Sequence, residues 1–172
     1  MAPAYEILDA RPEDLPRLAG IEVAAVTLFT GPIFDSVPHQ PTAEDLLRQA
    51  QREGRLWVAR AGESPVGFAM VGLVEPEAAH LEELDVHPDH GRRGVGTKLV
   101  EHVCRWAATS GHGAVTLTTY RDVPWNMPFY ARLGFEVVPA SELSRPLRAL
   151  VDDEARRGLD PAIRVVMRRV CV

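Results

Sequence analysis

Residues 81–96, LEELDVHPDHGRRGVG, run directly into the stretch TKLVEHVCRWAA, and this junction limits the fold more than any other part of the chain. Leu81, Leu84 and Val86 belong to a short strand read over His80–His87, which Pro88 stops because proline has no N–H to give to a sheet ladder. Gly91, Gly94 and Gly96, with Arg92 and Arg93 among them, form a loop, and apolar residues then recur at helical spacing over Thr97–Thr109. The β-branched run Ala114–Tyr120 follows as another strand. If its two strands are parallel, such a strand–loop–helix–strand unit closes in the right-handed sense and lays the helix on one face of the sheet. Ligands of such sheets bind beyond the carboxyl ends of the strands, which is where the loop lies. The first N–H groups of the helix, the positive end of its dipole and two guanidiniums meet there, a combination suited to phosphate.

The flanking sequence extends this unit into an α/β layer structure. Tyr5–Ala10 reads as a strand, residues 12–28 as a helix entered through Arg11-Pro12, and Ala43–Glu53 as a helix ended by Gly54. Gly31, Pro32, Pro38 and Pro41 make residues 30–41 a loop. Leu56–Ala61 and Val66–Val74 read as strands joined by a Gly62-Glu63-Ser64 turn. Further on, Pro124–Leu133 is a short helix, Phe135–Val138 a strand, Leu143–Arg157 a helix constrained by Pro146, and Ile163–Val170 a closing strand. A length of 172 residues suits one domain, residues 1–172.

Charge and composition remove several function classes. The net charge of −5 gives no general electrostatic footing for nucleic acid. No apolar run is long enough to span a bilayer and the N-terminus has no signal-peptide core, so a cytoplasmic protein without membrane association is expected. Cys104 and Cys171 have no CxxC spacing, and His87, Asp89 and His90 flank a turn without further convergent ligands, so no metal is expected. A Walker loop fails because Thr97 stands where lysine is required and Lys98 comes one position late. A dinucleotide fingerprint fails because Leu99 takes the place of the third glycine.

A second block, Asn126-Met-Pro-Phe-Tyr130-Ala-Arg-Leu-Gly134-Phe135, completes the pattern. Together with Val86-x-Pro88 and Gly91-Arg92-Arg93-Gly94-Val95-Gly96, it resembles the two ordered signatures of the GNAT family of N-acetyltransferases. Gly91 stands where the family usually has Gln or Arg, and Asn126 is closer to the tyrosine than the commonest family spacing. The resemblance implies a mixed, mostly antiparallel sheet of six to seven strands with a central splayed parallel pair, flanked by helices, over nearly the whole chain; the Leu143–Arg157 helix is an addition to the minimal fold.

It also implies acetyl-CoA as co-substrate and a primary amine of a small molecule or peptide as acceptor. Gly91, Arg92, Arg93, Gly94, Val95, Gly96 and Thr97 would hold the pyrophosphate, Leu84 and Val86 the pantetheine through their backbones, and Asn126 the pantetheine or cysteamine region. Tyr130 would protonate the departing thiolate, since a phenol stays protonated at neutral pH. The family places the general base on the strand before the loop. Glu82 is the first candidate, His80 the second, and Glu83 a fallback, because a bulge would shift the alternation of faces. Phe29 and Phe34, with Asp35 and His39, would wall the acceptor site, and Trp125 would line its channel. Homodimerisation is a further implication. Two other readings stay open on sequence alone: transfer of a longer acyl group, and a non-catalytic domain that senses acyl-CoA.

Overall fold

The computed structural model describes residues 4–172. The chain forms β1 (Tyr5–Asp9), α1 (Leu15–Val26), α2 (Pro32–Ser36), α3 (Glu44–Arg52), β2 (Leu56–Ala61), β3 (Ser64–Glu75) and β4 (Ala78–Val86). It continues through α4 (Val95–Thr109), β5 (Ala114–Tyr120), α5 (Met127–Arg132), β6 (Glu136–Val138), α6 (Arg145–Arg156) and β7 (Arg164–Val170). The seven strands lie in one sheet in the order β1-β2-β3-β4-β5-β7-β6. The β4–β5 pair is parallel, whereas β1–β2, β2–β3, β5–β7 and β6–β7 are antiparallel, as the mixed sheet expected from the sequence requires. By packing the chain divides into two compact units, Met1–Val71 with Glu83–Val103, and Gly72–Glu82 with Cys104–Val172.

In the first unit, Leu15, Leu18 and Ile21 of α1 and Leu47 and Ala50 of α3 bury against Leu56, Val58, Phe68 and Met70. These strand residues alternate along β2 and β3, so they share one face of the sheet. Trp57 and Ala59, on the other face of β2, are equally buried, and the Trp57 ring lies 5.4 Å from that of His102 on α4. A central strand covered on both faces explains the near-continuous apolar run LWVARA. Its one charged residue, Arg60, sits at a register shift and donates two hydrogen bonds from Nη2 to the buried Asp14 carboxylate, at 2.5 and 2.7 Å.

In the second unit, β4 pairs with β5 from Ala78↔Ala114 to Leu81↔Leu117, and β5 runs on to Tyr120 along β7. The connection from β6 to β7 carries α6, whose Ser144 N-cap accepts from the Leu147 N–H at 3.3 Å, so that Pro146 falls in the first turn, where its missing donor costs nothing. Glu154 fastens α6 to the sheet: it accepts from the Thr118 hydroxyl at 2.6 Å and pairs with Arg164 at 3.4 Å. The Arg164 guanidinium in turn lies 4.7 Å over the Tyr120 ring.

Two elements differ from the sequence reading. Residues 30–41, expected to be a loop, contain α2, because Gly31 at φ +62° turns the chain and Pro32 presets the first helical φ. The helix stops at Val37, which is extended ahead of Pro38. The helix expected over Pro124–Leu133 begins only at Met127, since Asn126 holds a non-helical φ of −112° and ψ of −110°.

Candidate functional site

The first unit carries the glycine-rich loop. Pro88–His90 makes one tight turn, in which the Gly91 N–H donates to the Pro88 carbonyl at 2.9 Å. A Cβ on Gly91 would stand 3.1 Å from that carbonyl oxygen, so a side chain there would strain the turn. The chain then passes through two left-handed residues, Arg92 at φ 55° and Gly94 at φ 78°, before α4 begins at Val95. The Lys98 N–H closes the first helical turn on the Gly94 carbonyl at 3.0 Å. Helical geometry therefore leaves the N–H groups of Val95, Gly96 and Thr97 without intrahelical acceptors. Gly91, Arg92, Arg93 and Gly94 are exposed, while Val95 is buried and anchors the loop.

The strand leading into this loop carries a titratable group not singled out from the sequence. Val86 packs against Gly67 of β3, where a Cβ would come within 2.8 Å of the Asp85 carbonyl oxygen and 3.2 Å of Val86 Cγ2. Asp85, next to Val86 on an alternating strand, therefore points to the face on which α1 and α3 pack. Burial and the negative charge of Glu22 push its carboxyl up to about 7. Glu22 lies on α1 beside Leu18 and Ile21, and its own pKa is raised by burial. The Thr42 N–H and hydroxyl oppose this rise by donating to it at 2.9 and 3.2 Å. Leu84 is half-buried and Glu83 is half-buried and engaged. Phe34 is 38% exposed with its ring edge-on to His39, at 4.5 Å between centroids, whereas Phe29 is half-buried.

The second unit carries the tyrosine block. α5 ends in a Schellman cap: the Phe135 N–H donates to the Tyr130 carbonyl at 3.1 Å and the Gly134 N–H to that of Ala131 at 3.1 Å. Gly134 takes the required left-handed φ of 84°. The hydrophobic contact that accompanies such caps is the Tyr130–Phe135 ring pair, 5.7 Å apart at 68°. The Tyr-x-x-x-Gly-Phe spacing is thus dictated by how a short helix stops. Tyr130 is 9% exposed, and Phe129 meets it edge-on at 5.0 Å. Asn126 accepts a 2.7 Å hydrogen bond from Thr119 at Oδ1, which fixes its amide beside β5. Trp125 is 43% exposed.

The two histidine and glutamate candidates in this unit differ sharply. His80 is 2% exposed, its Nδ1 lies 2.9 Å from the Thr116 hydroxyl, and burial with the Arg164 charge pushes its pKa down to about 4. Glu82 is exposed, and its carboxylate lies over Gly72, where a Cβ would meet Oε1 and stand 2.6 Å from Cδ.

Both blocks fall inside one sequence match. The sequence model of the acetyltransferase (GNAT) family matches residues 23–135. The chain belongs to the GNAT family. Among its relatives, mycothiol acetyltransferase from Parafrankia sp. (strain EAN1pec) is 38% identical over 145 residues, which cover 82% of this chain and 38% of that protein. This GNAT chain therefore spans well under half the length of that relative. Peptidyl-lysine N-acetyltransferase YjaB from Escherichia coli (strain K12) is 32% identical over 111 residues, covering 64% of this chain and 69% of YjaB. The fold recurs in the PaiA N-acetyltransferase from Thermoplasma acidophilum, solved with coenzyme A, with a TM-score of 0.73 at 15% identity and coverage of 97% and 99% of the two chains. It recurs again in Ard1 from Thermoplasma volcanium, with a TM-score of 0.70 at 19% identity and coverage of 98% and 99%. At these identities the likeness is one of GNAT fold. Among the described residues, no helix is long and apolar enough to cross a membrane.

Proposed function

We propose that the chain transfers an acetyl group from acetyl-CoA directly to a primary amine of a small molecule or peptide. The observation that carries this reading is that one family match, residues 23–135, takes in both the glycine-rich loop and the capped Tyr130 helix. In the proposal the backbone N–H groups of Gly94 to Thr97 bind the pyrophosphate, and Gly91 and Gly94 let the chain approach it closely. Leu84, Val86 and Asn126 hold the pantetheine. The amine nitrogen attacks the thioester carbonyl, the C–S bond breaks, and the Tyr130 O–H gives its proton to the departing thiolate. A neutral phenol is suited to this step because it is still protonated when the thiolate forms.

The acceptor arrives as an ammonium and must lose a proton before it attacks. Glu82, exposed on β4, takes that proton in this proposal, while His80 stays a neutral, buried imidazole. Negative charge at Glu22 favours a cationic acceptor over a neutral or anionic one. Phe29, Phe34, Glu83 and Trp125 line the acceptor's approach, and no metal takes part.

The test is thiol release from acetyl-CoA across a panel of amines, repeated with longer acyl-CoA donors. Tyr130→Phe should lower kcat by about 10²-fold or more, as expected for loss of a general acid, with CoA affinity close to normal. No thiol release with any amine, together with normal CoA binding, would favour a sensor domain. The pH–rate profile locates the base: a limb that vanishes in Glu82→Gln supports the proposal, and one near neutrality that vanishes only in Asp85→Asn reassigns the role.

A further inference from the structure

Tyr5, on the first strand, is 8% exposed, yet three residues of the loop segment reach it across 85 to 93 positions of sequence. Its phenol lies 3.0 Å from His90 Nδ1, with the two rings edge-on at 5.8 Å and 86°. Arg93 donates from Nη1 to the same phenol oxygen at 3.5 Å. Lys98 donates from Nζ to the Tyr5 carbonyl at 3.1 Å. A guanidinium can only donate, so the phenol oxygen accepts from Arg93, and His90 is its second polar partner.

The electrostatics of this cluster are one-sided. Among the described residues neither Arg93 nor Lys98 forms an ion pair; both spend their contacts on neutral oxygens of Tyr5. Two exposed cations are thereby held at the loop with their charge uncompensated. Immobilising a long, flexible side chain costs conformational entropy, a cost normally met on binding. Here it is met in the fold. Backbone N–H groups of the loop and of α4 already suit a pyrophosphate. On CoA the remaining anionic group is the phosphomonoester on the ribose, whose charge approaches two at neutral pH.

We propose that Tyr5 is a positioning residue for the cofactor: it holds Arg93 and Lys98 where they receive the ribose phosphomonoester of CoA. The proposal rests on the acetyl-CoA reading above and adds selectivity between CoA and its 3′-dephospho form. Calorimetric titration of wild-type protein, Tyr5→Phe and Arg93→Gln with CoA and with 3′-dephospho-CoA tests it. Wild type should bind CoA at least tenfold more tightly than dephospho-CoA. Tyr5→Phe should lose three- to tenfold in CoA affinity, with dephospho-CoA affinity and kcat at saturating acetyl-CoA unchanged. Arg93→Gln, which also removes a charge from the pyrophosphate loop, should weaken both ligands but CoA at least threefold more than dephospho-CoA, and the double variant should lose less CoA affinity than the product of the two. Equal binding of both ligands by wild type, or an equal loss of both in Tyr5→Phe, overturns the positioning role and leaves the acetyl-CoA reading standing. Binding of neither ligand by wild type overturns both. If Tyr5→Phe fails to fold, the ratio of the two affinities in Arg93→Gln alone decides the outcome.

Discussion

Replacing Asp85 by asparagine should make the protein more stable, and increasingly so as the pH rises. Burial and the Glu22 charge hold the Asp85 carboxyl near 7 in the folded state, whereas an aspartate in the unfolded chain titrates near 3.9. Between about pH 4 and pH 7 the folded protein keeps a proton that the unfolded chain has already released. Wild-type stability therefore falls as pH climbs through this window, and the loss is complete above the folded pKa. About three pKa units at roughly 1.36 kcal/mol each give a ceiling of about 4 kcal/mol. Because Asp85 is only half-buried, solvent screening brings the expected figure nearer to about 2 kcal/mol. Asp85→Asn removes the titration and keeps the size. For a chain of this length each kcal/mol shifts Tm by about 2–4 °C, so the variant should melt roughly 4–8 °C above wild type at pH 8. The two should nearly coincide at pH 4. Differential scanning calorimetry from pH 4 to pH 8 measures this directly. A Tm difference that stays constant across the range would refute the desolvated, Glu22-facing carboxyl on which the figure depends.

Two further substitutions probe other parts of the molecule. Asp14→Ala strands the buried Arg60 guanidinium without its carboxylate, and should cost about 3–5 kcal/mol, seen as a fall in denaturation midpoint with an unchanged m-value. Gly72→Ala puts a methyl group into the space of the Glu82 carboxylate, the far end of a flexible side chain. Denaturation should shift by less than about 1 kcal/mol, while the pH–rate profile moves if Glu82 is the base; an unmoved profile counts against that role.

The sheet was readable because each strand carries its burial in its residue types. LWVARA and AVTLTTY are buried on both faces and read as near-continuous apolar or β-branched runs. The tyrosine block was readable for a different reason: its spacing is that of a Schellman cap, a local rule that sequence displays in full. α2 was not, since Pro32 and Pro38 so close together read as a loop, and only the conformation of Gly31 turns the first into a helix start. Asp85 looked like one more polar residue on an alternating strand. Its raised pKa depends on burial and then on the charge of Glu22, far away on α1, and no periodicity within β4 reports either. His80 was open to reading as a base for the same reason: its burial and the Arg164 charge come from distant strands. Tyr5 lies in the most ordinary strand of the chain, and its partners come 85 or more residues later.

The α6 excursion has a consequence for how this sheet can change over time. It leaves the sheet after Val138 and returns at Arg164, and those two ends are held together by the β6–β7 ladder, where Val138 faces Val166 and Glu136 faces Arg168. With its ends pinned in this way, lengthening or exchanging the insert adds little closure entropy, about 0.6 kcal/mol for each doubling in length. What an exchange would have to preserve is the attachment of α6, the Glu154 carboxylate on Thr118 and Arg164 together with the buried Leu147 and Leu159. Residues 139–163 thus behave as a cassette on a fixed frame. A library grafted there, with the acid at 154 and the apolar side chains at 147 and 159 retained, would vary one wall of the second unit while β5 and β7 keep their register.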